Sequence, residues 1–138
     1  MFIMKTLFAT FFCIATCLVS NAQTTDLNGS WDIIEFGMVS DENTNKTEED
    51  QLKKDGSVWS LFFMEEGKFK QSSNMRTGTM ESQEGTWKTS EDILALELQF
   101  NEKIIKLEYT FELKENILVL NRSNPMGTMK IVTKFRKQ

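Results

Sequence analysis

The run Ile104-Ile105-Lys106-Leu107-Glu108-Tyr109-Thr110-Phe111-Glu112-Leu113-Lys114 decides the fold. Ile105, Leu107, Tyr109, Phe111 and Leu113 alternate with Lys106, Glu108, Thr110 and Glu112, a period of two with one face dry and one wet. A helix of this length would wind those apolar side chains around its whole circumference. Upstream, Leu94, Leu96, Leu98 and Phe100 repeat the alternation, with Glu97 and Gln99 opposite. Working outward, further short β segments are predicted over residues 29–39, 58–64, 67–75, 79–88, 93–100, 117–121 and 127–136.

The punctuation between them suits tight reversals. Asn124-Pro125-Met126-Gly127 has Pro at the second and Gly at the fourth position of a type I turn. Glu115-Asn116 and Ser90-Glu91-Asp92 fit short turns. Arg76-Thr77-Gly78 fits a three-residue hairpin loop with Gly78 left-handed. That loop sets Met75 opposite Thr79, Gln71 opposite Gln83 and Phe69 opposite Gly85, the last leaving room for the Phe69 ring. Eight strands with short links and no crossover helix predict an all-β, eight-stranded antiparallel up-and-down barrel, since closure removes the exposed edges of a flat sheet. The exception is residues 40–57, rich in acids. Thr47-Glu48-Glu49-Asp50 has the form of a capping box, and Glu49/Lys53 and Asp50/Lys54 have i,i+4 spacing, so a short helix is expected there. The segment reads either as a lid over one barrel end or as a solvated connector.

The chain has 138 residues, with 16 Lys+Arg against 20 Asp+Glu and no His. Residues 1–22 read as a signal peptide: Lys5, an apolar run of 13 residues from Leu7 to Val19, then Ser20-Asn21-Ala22 as a cleavage site. The run is shorter than the ~20 residues a membrane span needs. Cleavage at Ala22 would release a secreted or periplasmic domain over residues 23–138. Lipid attachment at Cys17 is the lesser alternative. Losing Lys5 takes the net charge from −4 to −5, and dispersed Lys gives no basic stripe for nucleic acid. With Cys13 and Cys17 both in the leader, a His-based triad, a thiol nucleophile, imidazole-bound zinc and a disulfide frame are excluded. Asp41, Asn43 and Asn45 open like a calcium loop. Lys46 stands where Gly is needed, however, and Leu52 where the bidentate Glu belongs. No catalytic residue, metal ligand or cofactor site is assigned, and the protein is expected not to be an enzyme.

Gly29-Ser30-Trp31 opens the first strand, Gly85-Thr86-Trp87 recurs in the fourth, and the chain closes on Lys134-Phe135-Arg136. With the strand count and the leader, this resembles the small bacterial lipocalin-like proteins of the calycin group over the whole mature chain. The resemblance implies that Trp31 lies near the closed end of the barrel with a late Arg packed against it, Arg136 first and Arg122 second. The chain departs from the family in lacking its middle motif, its disulfide and its C-terminal helix. What the resemblance implies functionally is a small apolar or amphipathic ligand. The rival reading is a protein-interaction module, such as an inhibitor of an extracytoplasmic enzyme, acting through its loops around a filled interior.

Candidate ligand-binding residues are Trp59, Phe63, Phe69, Gln71, Gln83, Leu96, Leu107, Tyr109 and Phe111. These side chains either line a cavity or simply fill it, because an eight-stranded barrel is just wide enough for one small ligand. Ser73 and Glu81 join Gln71 and Gln83 as polar handles at the mouth. Met38, Met64, Met75, Met80, Met126 and Met129 fit gap-filling in an irregular core, or an adaptable rim. Glu35 alternates with Trp31 and Ile33 and would point inward, unless a bulge carries it outside with Ile34, Phe36 and Met38 on the opposite register.

Overall fold

The computed structural model describes residues 25–138, so the leader, Cys13, Cys17 and the cleavage site lie outside the described residues. The alternating segments form a closed antiparallel barrel. Its strands are β1 (Gly29–Ser40), β2 (Thr44–Glu48), β3 (Trp59–Phe63), β4 (Lys68–Ser73), β5 (Glu81–Ser90), β6 (Ile93–Phe100), β7 (Lys103–Lys114), β8 (Ile117–Ser123) and β9 (Met129–Lys137). From β3 to β9 each strand pairs with the next, and β9 pairs back on β1 from Trp31↔Lys137 to Ser40↔Met129. Closure leaves eight staves, as predicted.

The ninth strand is the unpredicted one. β2 pairs with Glu35–Val39 and β3 pairs with residues 29–32, both antiparallel to β1 and on the same side of it. The two are collinear halves of one stave. Between them runs helix α1 (Glu49–Lys54), which buries Leu52 in the main core. Residues 40–57 are therefore part of the wall, neither a lid over the end nor a loose connector. The helix is as short as expected and Glu49 pairs with Lys53 at 3.3 Å. The capping box does not form, because Thr47 is spent in β2 and the cap residue Glu48 makes no side-chain bond to the helix.

β1 carries a register shift between Ile33 and Glu35. This bulge settles the orientation of Glu35. Trp31 and Ile33 face inward, then Phe36 takes the inward register opposite Thr133, and Glu35 turns out beside Lys134. Its carboxylate lies 3.0 Å from the Lys134 ammonium and also touches Lys46 of β2. The ion pairs tie β2 and β9 to β1 across the outer wall.

Other turns follow the sequence closely. The amide of Gly127 donates to the Asn124 carbonyl at 2.9 Å, closing the expected turn. In the β4–β5 hairpin, Phe69↔Gly85 and Gln71↔Gln83 pair as predicted, but the ladder stops at Ser73↔Glu81. Met75 and Thr79 are not paired: the loop is residues 74–80, not three residues, although Gly78 is left-handed at φ +79°. Gly85 is glycine for a different reason from the one expected. A Cβ there would come within 1.8 Å of the Glu97 carbonyl oxygen, so it is the backbone of β6, rather than the Phe69 ring, that needs the space.

Candidate functional site

One end of the barrel is plugged. The 3₁₀ turn Thr25–Leu27 lies across it, with Leu27 fully buried and its carbonyl accepting from the Trp31 indole N–H at 2.8 Å. Lys137 holds its ammonium 5.5 Å from the centre of the Trp31 ring. The cation expected from Arg136 is thus supplied by the next residue. Alternation along β9 is the cause: Thr133 and Phe135 point in, so Lys137 shares their face. Arg136 points out, where its Nη1 meets Glu49 of α1 at 3.0 Å. Glu49 consequently sits below its ordinary carboxylate value, first through the hydrogen bond from Arg136 and then through that from Lys53. Arg122, the second candidate, lies at the far end of β8 and takes no part.

Next to the plug the interior is solid. Phe63 packs on Phe69 at 5.1 Å and edge-on to Trp87 at 5.3 Å, and the Trp87 indole donates to the Met64 carbonyl at 3.0 Å. Leu94, Leu96, Leu98, Leu118, Leu120 and Phe135 complete this core, with Phe111 at its margin. Of the sequence candidates, Phe63, Phe69, Leu96 and Phe111 belong here, each packed among other side chains.

Toward the opposite end the inward side chains are no longer shut away. Trp59, Gln71, Gln83, Leu107 and Tyr109 are half-buried, as are Phe36 and Met38 of β1 and Ile131 of β9. Register sets Gln71 opposite Gln83 across β4–β5, whereas Tyr109 and Leu107 stand opposite Leu94 and Leu96 of the packed core across β6–β7. A directional hydrogen-bond chain links three of them. The Trp59 indole N–H donates to Gln71 Oε1 at 3.1 Å, and Gln71 Nε2 donates to Gln83 Oε1 at 2.6 Å. The chain ends on Gln83, whose amide nitrogen is a further donor. A cavity of about 130 Å³ opens there, lined by Gln71, Ser73, Arg76, Glu81 and Gln83. Glu81 is held by Arg76 at 2.9 Å and is not a free handle. Burial pushes the Tyr109 phenol above its ordinary value of 10.0, partly offset by Arg122.

The methionines are a correction. Met64, Met80, Met126 and Met129 are exposed, Met126 at 83%, so gap-filling describes only Met75, which packs on the core, and half-buried Met38. The polar turns that flank them pull them onto hairpin tips.

No protein-family model matches the sequence, and no curated protein matches it. Among solved structures the chain is similar to a lipocalin-like protein from Bacteroides uniformis ATCC 8492. The identity is 17% and the TM-score 0.54, over 82% of this chain and 99% of that one. It is also similar to an uncharacterized protein from Bacteroides eggerthii DSM 20697, at 16% identity and a TM-score of 0.50, over 80% and 98% of the two chains. The fold is lipocalin-like. Within this lipocalin-like barrel the accessible polar and aromatic lining is confined to one end. Among the described residues no helix is long and apolar enough to cross a membrane.

Proposed function

We propose that this lipocalin-like barrel is an exported, non-enzymatic protein that binds one small apolar or amphipathic molecule in its open half. The supporting observation is the contrast between the two halves. Inward residues beside the plug are sealed, whereas Trp59, Gln71, Gln83, Leu107 and Tyr109 keep accessible surface while facing the interior. Such a mixture of aromatic walls and a few convergent polar groups is typical of small-molecule sites. Native mass spectrometry of the purified protein after incubation with a lipid extract tests the reading. A bound species of one stoichiometry is expected, with a rise in melting temperature. No bound species and no thermal shift would remove it.

A second reading rests on the exposed hairpin tips. Met80, Met126 and Ile104 stand at the open rim, where they would suit a protein partner, as in an enzyme inhibitor. Substituting all three by Ser should leave small-molecule binding intact and abolish partner capture if that reading holds. Export is checked separately by the mass of the mature protein, expected to begin at Gln23. A lipid-bearing Cys17 terminus is the alternative outcome.

A further inference from the structure

The first half of β7 has a free edge. The strand pairs with β6 from its first residue, Lys103↔Phe100, but with β8 only from Thr110↔Asn121 onward. β8 continues to Ser123 against β9 instead. Residues 103–109 therefore have a strand on one side alone, and alternation decides which of their backbone groups are left over. The Phe111 amide donates to the Asp92 carbonyl at 2.8 Å, on the β6 side. In an antiparallel ladder the N–H and C=O of one residue point to the same neighbour, and those of the next residue point away from it. Odd-numbered residues of β7 thus bond to β6, while Ile104, Lys106 and Glu108 turn their N–H and C=O groups to the open side. On that side lies an open cleft of about 680 Å³, whose walls include Lys106, Glu108, Ser123 and Lys130.

The side chains on this edge are as open as its backbone. Ile104 is 62% exposed on the outer face, and Ile105 is 38% exposed although it takes the inward register. Lys106, 3.8 Å from Glu97 of β6, and Glu108, opposite Ala95, share the outer face with Ile104. Glu108 has no basic partner among the described residues. A free edge of this kind is a template for another strand, and a lysine on it ordinarily keeps such a strand away. Here the acid two places beyond the lysine answers it, because Lys106-Leu107-Glu108 is its own complement when reversed.

We propose that the β7 edge joins the same edge of a second copy of this chain, antiparallel, about a two-fold axis at Leu107. Lys106 then stands opposite Glu108 of the second copy, and Glu108 opposite its Lys106. The free N–H and C=O groups of these two residues close the ladder between the chains. On the inner face Ile105 meets Tyr109 of the second copy, on either side of a central pair of Leu107 side chains. Opposite charges and apolar pairs directly across a ladder both favour it. Centring the register on Lys106 instead would set two lysines against each other and Glu108 against Ile104, a like-charge contact at the middle. The self-complementary pattern selects a second copy over an unrelated strand, as the isologous contact of a two-fold dimer requires. So short a ladder makes the dimer weak and reversible. The edge lies in the wall and not at the open end, so the pairing is independent of the ligand-binding reading above.

Sedimentation velocity of the purified protein from about 1 μM to about 1 mM tests the pairing. A concentration-dependent dimer is expected. Hydrogen exchange should show the amides of Lys106 and Glu108 gaining protection as it forms, while that of Ile104, opposite a Thr110 already bonded to β8, stays open. K106E and E108K each set like charges against each other and should weaken the dimer at least about tenfold. An equimolar mixture of the two variants should restore it as a heterodimer, since every contact between positions 106 and 108 is again between opposite charges. A monomer throughout the range overturns the proposal, and protection of the edge by an added extended peptide would then assign it to another chain. A dimer that E108K leaves intact, or a mixture that stays monomeric, overturns it as well. Should K106E fail to fold for want of its contact with Glu97, E108K and the exchange pattern decide alone.

Discussion

Trp31 is served by three neighbours at the closed end: the Leu27 carbonyl on its indole N–H, the Lys137 ammonium over its ring, and Leu61 opposite it on β3. Gly29, two residues earlier, has φ +127° and sits under the Lys137 side chain, 3.1 Å from where a Cβ would stand. The Gly-x-Trp motif is thus explained by what lies on top of it. Lys137→Ala should lower stability by about 1 kcal/mol, since a part-buried cation–π contact contributes ~0.5–2 kcal/mol. Arg136→Ala, which removes an exposed ion pair, should cost under about 0.5 kcal/mol. Urea denaturation of the two variants checks the order, and the reverse order would return the role to Arg136. Tyr109 is the single tyrosine of the chain, so its titration can be followed cleanly by phenolate absorbance. Its midpoint is expected above 10.0 because burial penalises the phenolate, and R122Q should raise it further by removing the cation that favours ionisation. With the folded value raised, the contribution of this group to stability is fully present below the ordinary value. It is lost as pH rises through the folded one.

At the level of elements, legibility followed amphipathicity. β6 and β7 alternate cleanly because one face meets the core and the other water, and their ends were readable to within a residue or so. β2 was invisible for the same reason. Thr44-Asn45-Lys46-Thr47-Glu48 is exposed on nearly every residue, so no apolar period marks it, and pairing with β1 alone makes it a strand. The β1 bulge did leave a trace, the consecutive Ile33-Ile34, which breaks alternation and shifts the inward set from odd to even positions. Helix α1 was readable from charge spacing, but its role was not. Only the structure shows that Leu52 is buried in the main core. Leu52→Ala should therefore cost about 2–3 kcal/mol, typical of a buried leucine lost to a cavity. It should also speed proteolysis within residues 40–57. A cost under about 0.5 kcal/mol would mean that α1 merely rests on the surface.

For the molecule as a whole, closure through β1 and β9 makes one end a plugged, aromatic-packed core and leaves the other lined but accessible. The sequence identified the aromatic and amide residues of the lining without separating them, because alternation reports which face is inward and not how deep along the axis a residue lies. Phe69 and Gln71 share a face and differ only in height. The same geometry places the three indoles differently: Trp31 and Trp87 are buried in the sealed half, while Trp59 is half-buried beside Gln71. A tryptophan emission titration with dodecanoate on the wild type, Trp59→Phe and Trp87→Phe therefore tests the central claim most directly. A saturable change is expected in the wild type and in Trp87→Phe, and its loss in Trp59→Phe. No saturable change in the wild type, or one that survives in Trp59→Phe and vanishes in Trp87→Phe, would contradict a binding site in the open half.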